Sequence, residues 1–440
     1  MSAGMENRKS VVAIGIIAVM FFIFGVVTWI NAILIPYFKV GCELNNFQSY
    51  LVAFAFYIAY LVMAVPAGLL LKKTGFKRGM MIGFWLMATG TLLFVPAGIN
   101  RAYPLFLSGL FAIGLGLAIL QTAANPYITM LGQKERAAQR FSIMGICNKL
   151  AGILAPVAFA AVLIKPGDPE LLKTVSQMNE GMRAKVLDEL IGRVVTPYAV
   201  VTVVLFLFGW MIRFSPLPEI EEGPDDYRIS PKKSILDFPH LVLGAVAIFF
   251  HVGSQVIAVD SIINYTTEMG MSLTEAKVFP AYILTATIIG YLIGISIIPR
   301  LISQLQALRA CTLLGFMLSS IVLLSHGEVR ILGHTTDLSV WFIVLLGFAN
   351  SMIWAGIWAM AMDGLGSFVK TGASLLVMGL CGNAIMPLIY GALADSAGSH
   401  FAYIVLLPCY AYLIYYAFYA YGLKSWKQQI KVDDEVSESV

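Results

Sequence analysis

The feature that most constrains this chain is a series of long apolar runs separated by short polar segments. A helix needs about 20 mainly apolar residues to cross a bilayer core about 30 Å thick, because each residue adds about 1.5 Å. The runs are solid apolar blocks rather than the ten-residue alternating segments of a membrane barrel. We therefore predict an all-α polytopic membrane protein with twelve transmembrane helices. The predicted spans are 11–37, 48–71, 79–98, 103–130, 141–164, 197–214, 239–265, 279–299, 307–325, 338–362, 372–393 and 401–421.

The composition excludes the other broad classes of protein. Hydrophobic residues make up 59% of the chain and charged residues 12%, whereas soluble domains average about 45–50% and about 25%. So few charges cannot cover a water-facing surface of this size, and a disordered chain would be poor in apolar residues. The net charge of +4 is too small and too dispersed to indicate a nucleic-acid partner. The five cysteines, an odd number mostly within apolar runs, predict no disulfide framework.

The spans fall into two sets of six around one polar stretch. We predict an N-terminal half at 1–214, a cytoplasmic linker at 215–238, a C-terminal half at 239–422 and a cytoplasmic tail at 423–440. A second polar stretch, 165–196, carries a helix-like segment at 171–194 that we place within a single loop. With the N-terminus inside, the inward loops and tails hold 19 Lys and Arg residues and the outward loops nine. Because short cytoplasmic loops are enriched in Lys and Arg, both termini are predicted to be cytoplasmic.

Two charged residues, Lys149 and Asp260, lie well inside the predicted spans. An ionisable group there costs several kcal/mol unless it is paired or hydrated, so each is a functional candidate. A side chain that snorkels to the surface also explains Lys149, and a structural ion pair or a wetted outer vestibule also explains Asp260. If the two were partners across the halves, breaking the pair would gate access. We therefore predict a coupling or gating role for both.

Uncharged amide side chains are more numerous within the spans. They are Asn31, Gln121, Asn125, Asn148, Gln255, Asn350 and Asn383. Amides offer donors and acceptors that suit a ligand covered in hydroxyl groups, although each could simply join two helices through a bond worth about 0.6–2 kcal/mol. Trp29, Trp354 and Trp358 lie away from the headgroup level where tryptophan usually anchors. Their rings could stack on the apolar face of a sugar or pack in the protein core.

Two neighbouring motifs connect the chain to a known family. The residues Gln-Thr-Ala-Ala-Asn-Pro-Tyr at 121–127 and Ser-Ile-Met-Gly-Ile-Cys-Asn-Lys at 142–149 resemble the fucose permease family of the major facilitator superfamily. Within that family, the chain is similar to the bacterial glucose/galactose and N-acetylglucosamine permeases. Supporting segments at 24–36, 364–372 and 391–395 extend the resemblance over essentially the whole chain. The resemblance implies the major facilitator fold in a bacterial cytoplasmic membrane.

The chain departs from the family pattern at charged positions. Lys72 stands where the basic loop motif of the superfamily usually has an acid, and the fucose permease branch is similar to this chain in having a basic residue there. By resemblance, this loop latches the two halves. The resemblance places the family's proton-linked and sugar-binding carboxylates at Ala32 and Gln121, and neither acid is present. Asn148 matches the family's pocket asparagine. The resemblance therefore implies a retained sugar-binding frame without the usual proton carrier.

These observations together predict a secondary active transporter that imports a neutral monosaccharide by cation symport. The sugar would be a hexose such as glucose or galactose, or N-acetylglucosamine, and a passive sugar facilitator without ion coupling is the alternative. The predicted substrate-binding residues are Asn31, Gln121, Asn125, Asn148, Gln255, Asn350, Trp354 and Trp358. We expect no cofactor or metal, with sodium or a proton as the coupling ion. The expected partners are the sugar and the lipid bilayer, with no nucleic acid and a monomeric chain.

A membrane enzyme and a non-transporting sensor form a third class. The spans present no metal-ligand cluster, no paired catalytic carboxylates and no Ser/His/Asp set. The chain also lacks a Gly-x-x-x-x-Gly-Lys-Ser/Thr loop, which would bind the phosphates of a nucleotide. We therefore predict that the protein is not an enzyme.

Overall fold

The computed structural model describes residues 2–30, 34, 37, 38, 41–44, 46–130, 133, 136–163, 165, 178–217 and 234–426. Eleven helices in this described part are long and apolar enough to cross a membrane. One of them, Leu51–Ile99, is 49 residues long, about twice the length of a single crossing. Gly75 interrupts it with φ 76° and ψ 175°, a conformation essentially restricted to glycine. Counted on both sides of Gly75, the helices make twelve crossings, and the predicted all-α polytopic fold is confirmed.

In the described part of the chain, seven helices precede the central polar stretch. They are α1 (Ser2–Trp29), α2 (Asn46–Leu92), α3 (Phe94–Ile99), α4 (Tyr103–Met130), α5 (Ala137–Leu163), α6 (Glu180–Gly192) and α7 (Val195–Phe214). The short helix α6 lies within the segment 171–194, where the sequence predicts a helix inside one loop, so that prediction is confirmed for its second half. Asn179 caps α6, because its side chain accepts a hydrogen bond from the Met182 N–H.

The remaining helices follow the central stretch. They are α8 (Pro239–Glu268), α9 (Leu273–Ala276), α10 (Phe279–Ile297), α11 (Gln304–Leu324), α12 (Leu338–Asn350), α13 (Ile353–Ala361), α14 (Val369–Met378), α15 (Gly382–Ala397), α16 (Ser399–Ala402) and α17 (Leu406–Phe418). Short 3₁₀ helices lie at Ile235–Asp237, Gly366–Phe368, Gly379–Cys381, Tyr403–Val405 and Ala420–Gly422. An antiparallel hairpin of β1 (Glu328–Ile331) and β2 (His334–Asp337) joins α11 to α12.

Spans ten and eleven are among the predicted spans that are interrupted in the structure. Span ten consists of α12 and α13, which are separated by a turn at Ser351–Met352. Span eleven consists of α14 and α15, separated by the 3₁₀ turn Gly379–Cys381. A Cβ atom added at Gly379 would lie 2.5 Å from the Ala245 carbonyl oxygen, so glycine lets span eleven touch the backbone of α8 here. Irregular backbone is tolerated at membrane depth only where protein or water surrounds it.

The chain divides into two compact units. Unit 1 comprises 1–124 and 147–219, and unit 2 comprises 125–146 and 220–440. The end of α4 and the start of α5 therefore belong to unit 2, while the rest of both helices belongs to unit 1. The predicted linker at 215–238 stays a prediction, because 218–233 lie outside the described residues.

Within unit 1, glycines bring α2 and α4 into close contact. A Cβ atom at Gly109 would lie 2.7 Å from the Gly90 carbonyl oxygen, and one at Gly116 would lie 2.5 Å from that of Gly83. The four positions are spaced by seven residues on each helix, so they form one contact line. Small residues of this kind allow membrane helices to pack backbone to backbone. The contact fixes α4, which carries Gln121.

Within unit 2, α8 is the central helix. It contacts α10, α17 and the four segments α12 to α15 that make up spans ten and eleven. Of its most apolar 18 residues, 61% are buried. Its polar residues Asp260, Asn264 and Glu268 are exposed and four residues apart, so they share one face. The helix therefore presents a polar stripe at its C-terminal end and packs the rest of its surface.

Candidate ligand-binding site

In unit 1, a close contact between α1 and α5 places Trp29 beside Asn148. A Cβ atom at Gly152 would lie 2.8 Å from the Trp29 ring, so only glycine leaves room for the indole against α5. The Trp29 indole N–H donates to Asn148 Oδ1 at 3.4 Å. Asn148 Nδ2 donates to the Phe21 carbonyl oxygen, also at 3.4 Å. Both bonds are long, so they orient the half-buried carboxamide without holding it tightly.

Lys149 lies over the ring of Trp29. Its Nζ is 4.8 Å from the centre of the Trp29 ring, within the distance of a cation–π interaction. The side chain is 6% exposed, so it is buried rather than extended to the surface. Trp29 therefore links the amide of Asn148 through its N–H and the ammonium of Lys149 through its ring face.

Gln121 on α4 occupies a second polar position in unit 1. Its Nε2 donates to the Tyr60 hydroxyl oxygen at 3.2 Å. Tyr60 is 2% exposed and its ring stacks near that of Tyr57, with centroids 6.3 Å apart. Gln121 itself is half-buried, so a rigid aromatic side chain holds one end of an amide that keeps partial access.

In unit 2, Asn350 ends α12 at the break in span ten. It is 1% exposed, and its Oδ1 accepts a hydrogen bond from the Tyr410 hydroxyl at 3.0 Å. Its Nδ2 has no hydrogen-bond partner among the residues that the structure describes. A buried polar atom without a partner costs about 1–3 kcal/mol and calls for a bound water, a ligand or a conformational role.

The two tryptophans of span ten lie in different environments. Their ring centroids are 5.8 Å apart on α13, but Trp354 is half-buried while Trp358 is 0% exposed. Trp358 packs against Phe141 at 6.3 Å, and its Nε1 has no acceptor within the described part of the chain. Of the two rings, Trp354 is the more accessible.

The remaining predicted residues are dispersed. Asn125 is fully buried in α4, and both of its side-chain polar atoms lack partners among the described residues. Gln255 is half-buried in the middle of α8, and Asp260 is exposed on the polar stripe of the same helix. Asn31 lies outside the described residues.

The structure thus brings Asn148 and Lys149 together around Trp29, and it pairs Gln121 and Asn350 with tyrosines. Tyr60 and Tyr410 are not among the site residues predicted from the sequence. Tyrosines are common in these spans, and only the packing shows which of the 19 has its hydroxyl group beside an amide. For Tyr60, the signal available in the sequence is its spacing of three residues from Tyr57, which places both tyrosines on one face of a helix.

Comparison with known proteins settles which family has this architecture. The family model described as Major Facilitator Superfamily matches residues 17–378. The chain belongs to this superfamily. A glucose/galactose transporter of Brucella abortus is 35% identical over 405 residues, which cover 91% of this chain and 92% of the relative. An L-fucose-proton symporter of Escherichia coli is 29% identical over 422 residues, or 94% of each chain.

A solved structure of the same superfamily has the same fold. The crystal structure of the major facilitator superfamily transporter FucP in the outward conformation matches with a TM-score of 0.79 and 26% sequence identity. The match covers 93% of this chain and 99% of that chain. These relatives place the chain in the fucose permease family of the superfamily, as its motifs predict. It is a multi-pass membrane protein of a transporter family and not an enzyme.

Proposed function

We propose that this protein imports a neutral monosaccharide across the bacterial cytoplasmic membrane by cation symport. The sugar is a hexose such as glucose or galactose, or N-acetylglucosamine. Alternating access would expose one midplane site to each side of the membrane in turn, as in other secondary transporters. Both termini are cytoplasmic in this proposal, because the short loops rich in Lys and Arg then lie inside.

One observation carries the proposal, namely the pair of half-buried amides Gln121 and Asn148 in unit 1. Both are uncharged, both offer a donor and an acceptor, and both are oriented by rigid aromatic side chains. Such groups match the hydroxyl groups of a sugar without placing a charge in the site. The names of the relatives from Brucella abortus and Escherichia coli point to the same class of substrate.

The other predicted ligands complete the proposal. Asn31 would join the amides of unit 1, and the half-buried ring of Trp354 would stack on the apolar face of the sugar. The remaining amides, Asn125, Gln255 and Asn350, contribute in conformations that expose them. Trp358 supports Trp354 from within the core.

Coupling requires another group, since Ala32 and Gln121 stand where the family's carboxylates are expected. Asp260 is the proposed coupling acid, because it lies within a span and is exposed. Lys149 supplies a fixed positive charge close to Asn148. The same missing carboxylates favour the second candidate, a passive facilitator.

Uptake by purified protein in proteoliposomes tests the proposal. Labelled glucose, galactose, fucose and N-acetylglucosamine are supplied in turn under separately imposed sodium and proton gradients. Accumulation above the external concentration supports symport, and uptake that only equilibrates supports the facilitator. If none of the four sugars enters the vesicles, the substrate class is wrong.

Two variants test the residues. Gln121→Ala should weaken uptake of the sugar, whereas Gln306→Ala, at an exposed position, should not. Asp260→Asn should abolish accumulation while leaving equilibrating uptake. Glu268→Gln, an exposed acid eight residues along the same helix, is the matched control. Gradient-driven accumulation that survives Asp260→Asn removes Asp260 as the coupling acid.

A further inference from the structure

Three of the five histidines lie at the end of unit 2 that carries the β-hairpin. One of them, His334, is already engaged through both ring nitrogens. Its Nδ1 lies 3.1 Å from Glu275 Oε1, and its Nε2 lies 3.1 Å from the Tyr282 hydroxyl oxygen. The other two, His326 and His400, lie against each other, with ring centroids 4.8 Å apart and planes at 62°. They therefore form a pair of imidazoles beside the hairpin.

The ring of His400 is held on two sides. Its Nε2 lies 2.7 Å from the Val322 carbonyl oxygen, which can only accept, so Nε2 carries a hydrogen and donates it. In the neutral imidazole, Nδ1 then keeps the lone pair. The ring also stacks on Tyr265, with centroids 6.0 Å apart and an interplanar angle of 9°. This is the usual arrangement of a metal-binding histidine, whose second nitrogen donates to a carbonyl or a carboxylate.

His326 approaches this ring from the first turn of the hairpin. The next residue, Gly327, is fixed by two hydrogen bonds. Its N–H donates to Asp337 Oδ2 at 2.9 Å, and its carbonyl oxygen accepts from the Leu338 N–H, also at 2.9 Å. The backbone beside His326 is therefore anchored to the end of β2 and the start of α12. The His326 side chain is exposed, so an ion in the surrounding water can reach it.

The spacing of the two rings fits one shared metal ion. A tetrahedral ion bound at about 2.0 Å holds two imidazole centres about 5 Å apart, because each centre lies about 3 Å from the ion. The observed separation of His326 and His400 is 4.8 Å. Among the residues that the structure describes, no group of three or more potential ligands occurs. Water therefore completes the coordination of such an ion.

A nearby carboxylate makes the surroundings favourable for a cation. Asp337 interacts electrostatically with His400. Its oxygens already accept hydrogen bonds, Oδ2 from the Gly327 N–H and Oδ1 from the Ser339 N–H. Asp337 therefore acts through its charge and not as a ligand.

We propose that His326 and His400, which we call the histidine pair, bind a divalent transition-metal ion. Imidazole nitrogen suits copper, zinc and nickel, and the affinity of nitrogen ligands is highest for Cu²⁺. The bound ion ties the start of the hairpin to α16 within unit 2. In the orientation proposed above, this end of unit 2 faces the outside of the cell, so the ion comes from the external medium.

Electron paramagnetic resonance of Cu²⁺ tests the proposal on the full chain in lipid nanodiscs, with any polyhistidine tag removed. We expect one tightly bound Cu²⁺ per chain, with electron spin-echo modulation from two imidazole nitrogens. His326→Ala should remove one of the two nitrogens from the echo. Loss of an outer partner of a ligand already costs about 10–100-fold in affinity, so losing the ligand itself should weaken Cu²⁺ binding at least about tenfold. Because the His326 side chain is exposed, this variant should fold normally.

Two further variants complete the test. His400→Ala should weaken Cu²⁺ binding at least as much as His326→Ala, since it removes the imidazole whose second nitrogen is fixed by Val322. His334→Gln is the matched control at the same end of unit 2. The ring nitrogens of His334 face Glu275 and Tyr282, so the affinity and the echo should equal those of the unmodified protein.

Three results would overturn the histidine pair. The first is an echo without imidazole modulation, which would mean an adventitious ion only. The second is unchanged Cu²⁺ affinity in His326→Ala, and the third is an equal loss in His334→Gln. The measurement needs neither sugar nor an ion gradient, so failure of the uptake experiment does not affect it. Conversely, sugar accumulation in a protein that binds no Cu²⁺ removes the histidine pair but not the transport function.

Discussion

The two units satisfy their buried amides in different ways. In unit 1, Gln121 and Asn148 are half-buried and each is oriented by an aromatic partner, Tyr60 or Trp29. In unit 2, Asn350 is buried, with Oδ1 bound by Tyr410 and with no partner for Nδ2 among the residues that the structure describes. An accessible, oriented amide is ready to exchange a weak protein bond for a ligand bond. A buried amide can do so only after the helices around it move.

This difference predicts which polar groups bind the ligand in this conformation and which stabilise the folded protein. Substitutions in unit 1 should change affinity more than stability, because water can replace the lost bonds at a half-buried site. Substitutions beside Asn350 should change stability more than affinity, because the polar group that they leave without a partner is buried. Four substitutions test this contrast.

Asn148→Ala should have the largest effect. It removes both a donor and an acceptor from the proposed sugar site, and sugar binding should weaken about 10–100-fold, the equivalent of one or two good hydrogen bonds. Equilibrium binding of the labelled sugar to purified protein measures the loss. The midpoint of thermal unfolding should change little, because both existing bonds of Asn148 are long. Unchanged affinity would remove Asn148 from the site.

Tyr410→Phe should mainly reduce stability. It deletes the donor to Asn350 Oδ1, and within the described part of the chain the buried carboxamide then has no hydrogen-bond partner. The free energy of unfolding should fall by about 1–3 kcal/mol, which denaturant titration in detergent measures, while sugar affinity should stay within about twofold. If this variant has normal stability and weakened sugar binding, the predicted contrast between the units is wrong.

Tyr60→Phe removes a tyrosine hydroxyl group in unit 1 and should reduce sugar affinity more than stability. Gln121 Nε2 loses its acceptor, but this half-buried amide can turn towards water. The loss in unfolding free energy should stay below about 1 kcal/mol. Sugar binding should weaken about three- to tenfold because the amide is no longer oriented. Comparing the two tyrosine variants in the same binding and unfolding assays isolates the effect of burial.

Among the three substitutions in unit 1, Lys149→Met should have the smallest effect on affinity. The substitution keeps a long side chain on Trp29 and removes the charge, at a cost of about 0.5–2 kcal/mol in the cation–π interaction. The Trp29 N–H still orients Asn148, so affinity should change no more than about threefold. Lys149→Arg, which retains a cation over the ring, is the control. A tenfold loss in Lys149→Met that Lys149→Arg restores would place the charge in the site itself.

Much of the fold follows from the pattern along the chain. Twelve apolar runs predict the crossings, and the structure has them, with Gly75 separating the second from the third. The helix inside the loop at 171–194 was also predictable from its sequence, and α6 lies there. These features depend on residues close together in sequence, where apolar length and helix-forming composition are sufficient.

The breaks in spans ten and eleven were not predictable. Neither Ser351 nor Met352 is a helix-breaking residue. The glycines around Gly379 act through contact with the backbone of α8. The hydrogen-bond partners of the candidate residues were also not predictable from the sequence. Asn148 and Trp29 are 119 residues apart, and Tyr410 and Asn350 are 60 apart.

The sequence by itself predicted twelve membrane crossings and spans that contain many amides, and its family resemblance implied that Ala32 and Gln121 replace two acids. Hydrophobic length and residue type are local properties, and they require no knowledge of packing. Only the tertiary structure decided that Gln121 and Asn148 are accessible and oriented while Asn350 and Trp358 are sealed. Burial and hydrogen bonding depend on which helices meet, and distant glycines, tyrosines and tryptophans determine those contacts.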